Sequence, residues 1–135
     1  MSIIDPIGKK EARLKNILVL AYAGDTVYDL YVRTALLKDS RAHVGALNDM
    51  ATRIVNAKAQ ADIVEKLMPI LTEEEQAIYK RGRNAKPGTV AKNMSLADYK
   101  SATGFEAVIG YLYLSGEKAR VEELMGYVLK EHGVV

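Results

Sequence analysis

Apolar residues recur three and four positions apart along almost the whole chain, the pattern of helices that bury one face. It predicts a first long helix from about Asn16 to Leu37, broken by Asp39 and Ser40. Residues 42–57 predict a second helix with Val44, Leu47, Ala51, Ile54 and Val55 on its inward face. A shorter third, AQADIVEKLMPI, turns Ile63, Leu67 and Ile70 inward and ends at Pro69. The string TEEE at 72–75 is a capping-box pattern, with Thr72 as N-cap and Glu75 reaching back, and predicts a fourth helix. The acidic first turn of that helix and the Lys80–Arg81 pair at its end both suit the helix dipole. SLAD at 95–98 repeats the capping pattern and opens a helix that runs to about Gly116. The last helix, EKARVEELMGYVLKEH, places Val121, Leu124, Met125 and Val128 inward. Residues 1–12, with Pro6 and Gly8, read as an irregular arm. The expectation is an all-α fold of about six helices, set by short connections.

A chain of 135 residues suits one domain spanning 1–135, long enough to bury a sizeable core. The absence of cysteine excludes disulfides, thiolate zinc sites and a cysteine nucleophile, and fits a reducing compartment. The N-terminal charges follow the short apolar run, unlike those of a signal peptide, and no apolar run is long enough to span a bilayer. These features read as a soluble, cytoplasmic protein with no membrane partner. The net charge is only +2, but its distribution is uneven. Lys80, Arg81, Arg83, Lys86, Lys92 and Lys100 face a single nearby acid, Asp98. Such a patch suits a phosphate-bearing partner, although a solvated loop flanked by lysines would look the same. Within it lies the one long connection, GRNAKPGTVAKNM at 82–94, and connections of that length are often functional.

Two acids change the picture further. Asp25 sits within ILVLAYAGDTVYDLYVR, and Glu106 is the only charge in ATGFEAVIGYLYL. A buried carboxylate is costly unless paired, hydrogen-bonded or bound to a cation. Neither has an opposite charge four residues away: the flanking positions are Ala21 and Asp29, and Ala102 and Gly110. Either acid alone reads as an exposed point on its helix. Two of them, in the two most apolar helices, point to a shared metal site. Magnesium takes oxygen ligands, often one or two carboxylates, and can activate water and neutralise charge on a phosphate. The small neighbours Ala21, Ala23, Gly24, Ala102, Thr103 and Gly104 would let a bulky polyanion approach, and the basic patch would grip its backbone. His43 and His132 are far apart and read as surface or capping residues; there is no Walker A sequence and no GxGxxG. Tyr22, Tyr28, Tyr31, Tyr99, Tyr111 and Tyr113 fall mostly at helical spacing and read as packing or subunit-contact residues.

The string AYAGDTVYDLYVR resembles the signature helix of the ribonuclease III family, and TGFEAVIGYLYL resembles that family's second acidic motif. AKAQA at 57–61 and EEEQAIYKRGRNAK at 73–86 resemble its short bacterial branch, the Mini-III enzymes, which have the catalytic domain and lack the double-stranded RNA-binding domain. The resemblance runs from about Ile4 to Gly133. It implies an all-helical, Mg2+-dependent endonuclease that works as a homodimer and cuts both strands of an RNA duplex. It also implies maturation of the 23S ribosomal RNA precursor, with a ribosomal protein as a candidate for presenting the substrate. By the same resemblance, Asp25 and Glu106 are the metal-binding catalytic acids. Lys80, Arg81, Arg83, Lys86 and Lys92 are then the RNA contacts. The long members of the family carry carboxylates four and seven residues before the aspartate and three before the glutamate. Here those places are Ala21, Leu18 and Thr103, the sparser pattern of the short branch. Waters, the RNA phosphate or another acid such as Asp49 would complete the metal shell. Two readings compete: a non-catalytic RNA-binding or ribosome-assembly module, and a helical dimer that scaffolds other proteins.

Overall fold

The computed structural model describes residues 2–90 and 92–134, so the expected 82–94 connection is described apart from Ala91. The described residues form seven α-helices and no strand: α1 (Lys9–Leu14), α2 (Ile17–Asp39), α3 (Val44–Val55), α4 (Ala57–Leu67), α5 (Glu73–Asn84), α6 (Leu96–Ser115) and α7 (Lys118–Glu131). A single 3-10 turn, Met68–Ile70, contains Pro69 and follows α4. Local chemistry sets the starts. The Asn16 side chain accepts from the Leu18 N–H at 2.8 Å, and the Asn56 side chain accepts from the Ala59 N–H at 2.8 Å. The capping box at α5 is complete: the Glu75 N–H donates to Thr72 Oγ1 at 3.1 Å and the Thr72 N–H to Glu75 Oε1 at 3.0 Å. Ser95 caps α6 by accepting from the Asp98 N–H at 3.3 Å. Gly116, with φ of 87°, ends it.

Helix α6 is the centre of the molecule. From Ala102 to Leu112 every residue but Glu106 is buried, and α1, α2, α4, α5 and α7 pack around it. Helix α2 runs antiparallel to it, with Leu20 and Gly24 against Gly110 and Tyr28 against Phe105. The approach is backbone on backbone. A Cβ on Gly24 would collide with the Glu106 carbonyl, and one on Gly110 with the Leu20 carbonyl. On another face, a Cβ on Gly82 of α5 would lie 2.8 Å from the Gly104 Cα. Tyr28 and Phe105 close the α2–α6 seam edge to face, with ring centroids 5.8 Å apart.

The N-terminal arm is a correction to the sequence reading. It contains α1, and the Ile7 and Gly8 N–H groups donate to the Leu114 carbonyl at 2.9 and 3.2 Å. Ala12 is fully buried, while Lys9 and Arg13 pair with Glu74, which also accepts from the buried Tyr111 hydroxyl at 3.0 Å. That short helix accounts for seven helices where about six are expected. Val44 and Ile70 also point outward rather than inward, at 74 % and 39 % exposure. Val44 is the first residue of α3, and Ile70 lies in the 3-10 turn, whose tighter period carries it off the stripe of α4. Leu47 and Val55 are half-buried; Ala51, Ile54, Ile63, Leu67, Val121, Leu124, Met125 and Val128 are buried as their spacing predicts.

The glycines divide by what surrounds them, which gives a direct test. Gly110→Ala should destabilise the protein by roughly 3 kcal/mol or more, because rigid backbone lies in the path of the methyl group. Gly126→Ala, in α7 with open space around it, should stabilise by about 0.5–1 kcal/mol. Urea unfolding measures both; a Gly110→Ala protein as stable as the parent would show that α2 and α6 do not meet there.

Candidate functional site

The glycine contact between α2 and α6 brings the two suspected acids together. Asp25 follows Gly24, and the backbone against Gly24 is that of Glu106. Asp25 is exposed and Glu106 half-buried, and the two carboxyl groups lie close enough for Asp25 to act on Glu106. Burial first, and then the facing Asp25 carboxylate, push the Glu106 carboxyl up to about 8, against an opposing hydrogen bond from Gln60. Among the described residues neither acid enters a salt bridge. Asp29, one turn on, does not join them: Arg33 Nε donates to both of its oxygens at 2.9 Å and Arg33 Nη1 reaches Asn48 at 2.6 Å.

Two further side chains surround Glu106. Gln60 Nε2 donates to the Val55 carbonyl at 3.0 Å and to Glu106 Oε2 at 3.3 Å, while its Oε1 is buried without a partner. Tyr28 is fully buried and its hydroxyl also lacks a partner; burial, and then the Glu106 charge, raise its pKa. An unpaired buried oxygen costs about 1–3 kcal/mol. The sequence reads Tyr28 as a packing or subunit-contact residue, and the structure buries it within the subunit against Phe105; Gln60 is not singled out in the sequence. The signal for Gln60 is in the pattern: it precedes Ile63, Val64 and Leu67 by three, four and seven residues, and so lies on the buried stripe of α4.

The donor set fits a hard divalent cation. It offers carboxylate oxygens, and a cation between them would relieve the repulsion that raises Glu106. Among the described residues no third acid, histidine or cysteine joins the pair, so Asp49, exposed on α3, does not complete it. The basic residues lie apart from the pair in sequence but on an element tied to the same helix. Lys80, Arg81 and Arg83 are in the C-terminal part of α5, which packs on α6 at Gly104, two residues from Glu106. Lys80 and Arg81 are exposed, and Arg83 lies over the Tyr79 ring with its guanidinium 5.5 Å from the centroid. Lys86 and Lys92 are exposed in the connection from α5 to α6. None of these five enters a salt bridge among the described residues. His43 and His132 occupy the N-cap position of α3 and the C-cap position of α7. Helix α2 exposes Leu18, Val19, Tyr22, Leu30 and Leu37, and no described helix is long and apolar enough to cross a membrane.

Residues 18–117 match the ribonuclease III domain. The chain is 46 % identical over 120 residues to the Mini-ribonuclease 3 of Enterococcus faecalis, covering 87 % of this chain and 91 % of that one. It is 48 % identical over 116 residues to the Mini-ribonuclease 3 of Brevibacillus brevis, covering 86 % and 87 %. A protein of Fusobacterium nucleatum solved by X-ray crystallography shares its fold, with a TM-score of 0.80 and 33 % identity over 88 % of this chain and 95 % of that one.

The raised Glu106 pKa fixes a sign. The unfolded carboxyl titrates near 4.5 and the folded one near 8, so between these values the folded state holds a proton that the unfolded state has lost. The metal-free protein therefore loses stability as pH rises from 5 to 8, by at most about 1.4 kcal/mol per unit from this group. Glu106→Gln should flatten that decline, leaving the variant more stable than the parent at pH 8 in EDTA. Glu75 has the opposite sign: burial raises its carboxyl, but bonds from Arg120 and Thr72 outweigh burial and hold it low, so its contribution is lost at acid pH in both proteins. Thermal melts across pH in EDTA check the assignment, and parallel curves for parent and variant would overturn it.

Proposed function

The chain belongs to the ribonuclease III family and is an endoribonuclease, and on that premise we propose that it hydrolyses double-stranded RNA with Mg2+, Asp25 and Glu106 being the metal-binding catalytic acids. One observation carries the reading. The α2–α6 crossing brings two carboxylates together where burial, and then the facing Asp25, disfavour the charge on Glu106. An RNA-binding module or a scaffold gains nothing from so unfavourable a pair. A cation-dependent hydrolase needs it.

Mg2+ bound there supplies Lewis acidity toward the phosphate and the attacking water. The chain's residues do the rest. Asp25 lies on an exposed part of α2, beside Tyr22 and Thr26, so a duplex can reach it without entering a cavity. Glu106, half-buried and gripped by Gln60, is the fixed member of the pair. Lys80, Arg81, Arg83, Lys86 and Lys92 neutralise phosphates along the duplex, a grip that is independent of sequence. Recognition then follows the A-form shape and its 2′-hydroxyls. The exposed apolar residues Leu18, Val19, Tyr22 and Leu30 on the helix that carries Asp25 support a homodimer, in which a second copy covers them and each subunit cuts one strand. The Mini-III likeness extends the reading to maturation of the 23S ribosomal RNA precursor in the cytoplasm, with a ribosomal protein presenting the substrate and residues 1–135 acting as one catalytic domain.

The test uses one end-labelled RNA duplex and one single strand of matching length, each in Mg2+, in EDTA and with Asp25→Asn. The duplex alone should be cut. Cutting should stop in EDTA and fall by roughly 100-fold or more in the variant, while duplex binding in EDTA persists. Binding without cutting in every lane would point to an RNA-binding module or to a substrate that needs its ribosomal partner; the same lanes on pre-ribosomal particles separate the two, and no cutting there overturns the enzyme reading.

The basic residues have their own test. Replacing Arg81 and Arg83 together by Ala should reduce the slope of log affinity against log salt by about 1.5–2. An unchanged slope would remove both from the RNA contact surface.

A further inference from the structure

Three polar or charged side chains are buried among the described residues: Glu75, Thr103 and Gln60. The first two are explained locally. Glu75 completes the α5 cap and takes two bonds from Arg120, at 2.8 and 2.9 Å. Thr103 Oγ1 donates to the Tyr99 carbonyl of its own helix at 2.9 Å. Gln60 is the most buried of the three, at 1 % exposure, and its carbonyl oxygen has no partner. A leucine or methionine would fill the same space on the α4 stripe without stranding an oxygen.

Its amide end indicates why a glutamine is there. The Val55 carbonyl, which can only accept, fixes which way the group is turned: reversing it would set oxygen against oxygen there, so the NH2 is also the end that meets Glu106 Oε2. Bonding to Val55 alone would only join the end of α3 to α4. The second bond selects one oxygen of Glu106. A neutral donor also suits this place better than lysine or arginine, because it orients the carboxylate without neutralising it or repelling an incoming cation.

We infer that Gln60 is a positioning residue for the metal site: anchored on Val55, it holds Glu106 Oε2 and fixes the orientation in which Glu106 and Asp25 share a divalent cation. The inference rests on the metal reading proposed above. Ligating carboxylates are commonly held by such outer hydrogen bonds, and loss of one lowers metal affinity about 10–100-fold.

The experiment measures Mn2+ binding by electron paramagnetic resonance, without RNA, on the parent, Asp25→Asn and Gln60→Met. The expected result is binding by the parent, none by Asp25→Asn, and 10–100-fold weaker binding by Gln60→Met with its helical circular dichroism intact. Cleavage by Gln60→Met should then need more Mg2+ for half-maximal rate at an unchanged KM for the duplex, a split that a purely structural staple would not produce. Parent-like Mn2+ affinity in a folded Gln60→Met, beside loss in Asp25→Asn, overturns the role of Gln60 and leaves the metal reading standing. No binding by the parent, or parent-like binding by Asp25→Asn, overturns the metal reading and this inference with it. If Gln60→Met does not fold, the side-chain NH2 resonances of Gln60 in the 15N-labelled parent decide. They should shift along the Mg2+ saturation curve, and signals that do not move sink the inference.

Discussion

The contact on which the rest depends is the backbone-to-backbone crossing of α2 and α6 at Gly24 and Gly110. Neither position leaves room for a Cβ, so the two helices approach as closely as their main chains allow. At an ordinary helix separation, of about 8–10 Å between axes, side chains would stand between the helices. Here the residues beside the crossing meet instead: Asp25 next to Gly24, Glu106 one turn before Gly110, and Tyr28 on Phe105. With α1, α4, α5 and α7 on its other faces, α6 is buried on nearly all sides, which is why its middle reads as almost continuously apolar rather than as one face of an amphipathic helix.

That geometry works against stability at the point where it creates chemistry. It presses one carboxylate toward another in a partly dehydrated place, and it leaves the Tyr28 hydroxyl and the Gln60 carbonyl without partners nearby. A fold selected for stability alone would put methyl groups there. Elsewhere several charged groups are well paired. Arg120 holds Glu75 and Glu123, Arg33 holds Asp29 and Asn48, and Glu74 collects Lys9, Arg13 and Tyr111. Of the three buried side-chain oxygens without a partner among the described residues, two lie beside the acid pair and the third, Ser115 Oγ, at the end of α6; such a concentration is the pattern expected where function overrides packing.

Much of this was legible in the chain. The helices from Asn16 onward, the Thr72–Glu75 capping box and the inward faces of α4 and α7 follow from spacing and capping chemistry, which are local. Asp25 and Glu106 stand out in the sequence because a charge on an apolar stripe needs a reason. That they meet is a tertiary fact, carried by glycines whose role shows only when another backbone lies against them. The arm was misread because Pro6 and Gly8 look like breakers, whereas α1 is held by bonds to the far end of α6 that no local pattern encodes. Gln60 was missed because one amide on an apolar stripe resembles an ordinary helix residue until its burial is known.

The small number of acids at the site follows from the same packing. Where the longer members of the family carry further carboxylates, this chain has Ala21, Leu18 and Thr103. Ala21 and Thr103 are buried, and the Thr103 hydroxyl donates to the Tyr99 carbonyl of its own helix, so neither position supplies a carboxylate. Leu18 is exposed and belongs to the apolar surface of α2 instead. A site with two carboxylates cannot rely on a crowd of ligands to orient each one. On the metal reading proposed above, Glu106 is oriented from behind, by the Gln60 amide with its two hydrogen bonds. On that reading such an arrangement would keep the ligands few without loosening Glu106, while the buried Ala21 and Thr103 contribute to packing.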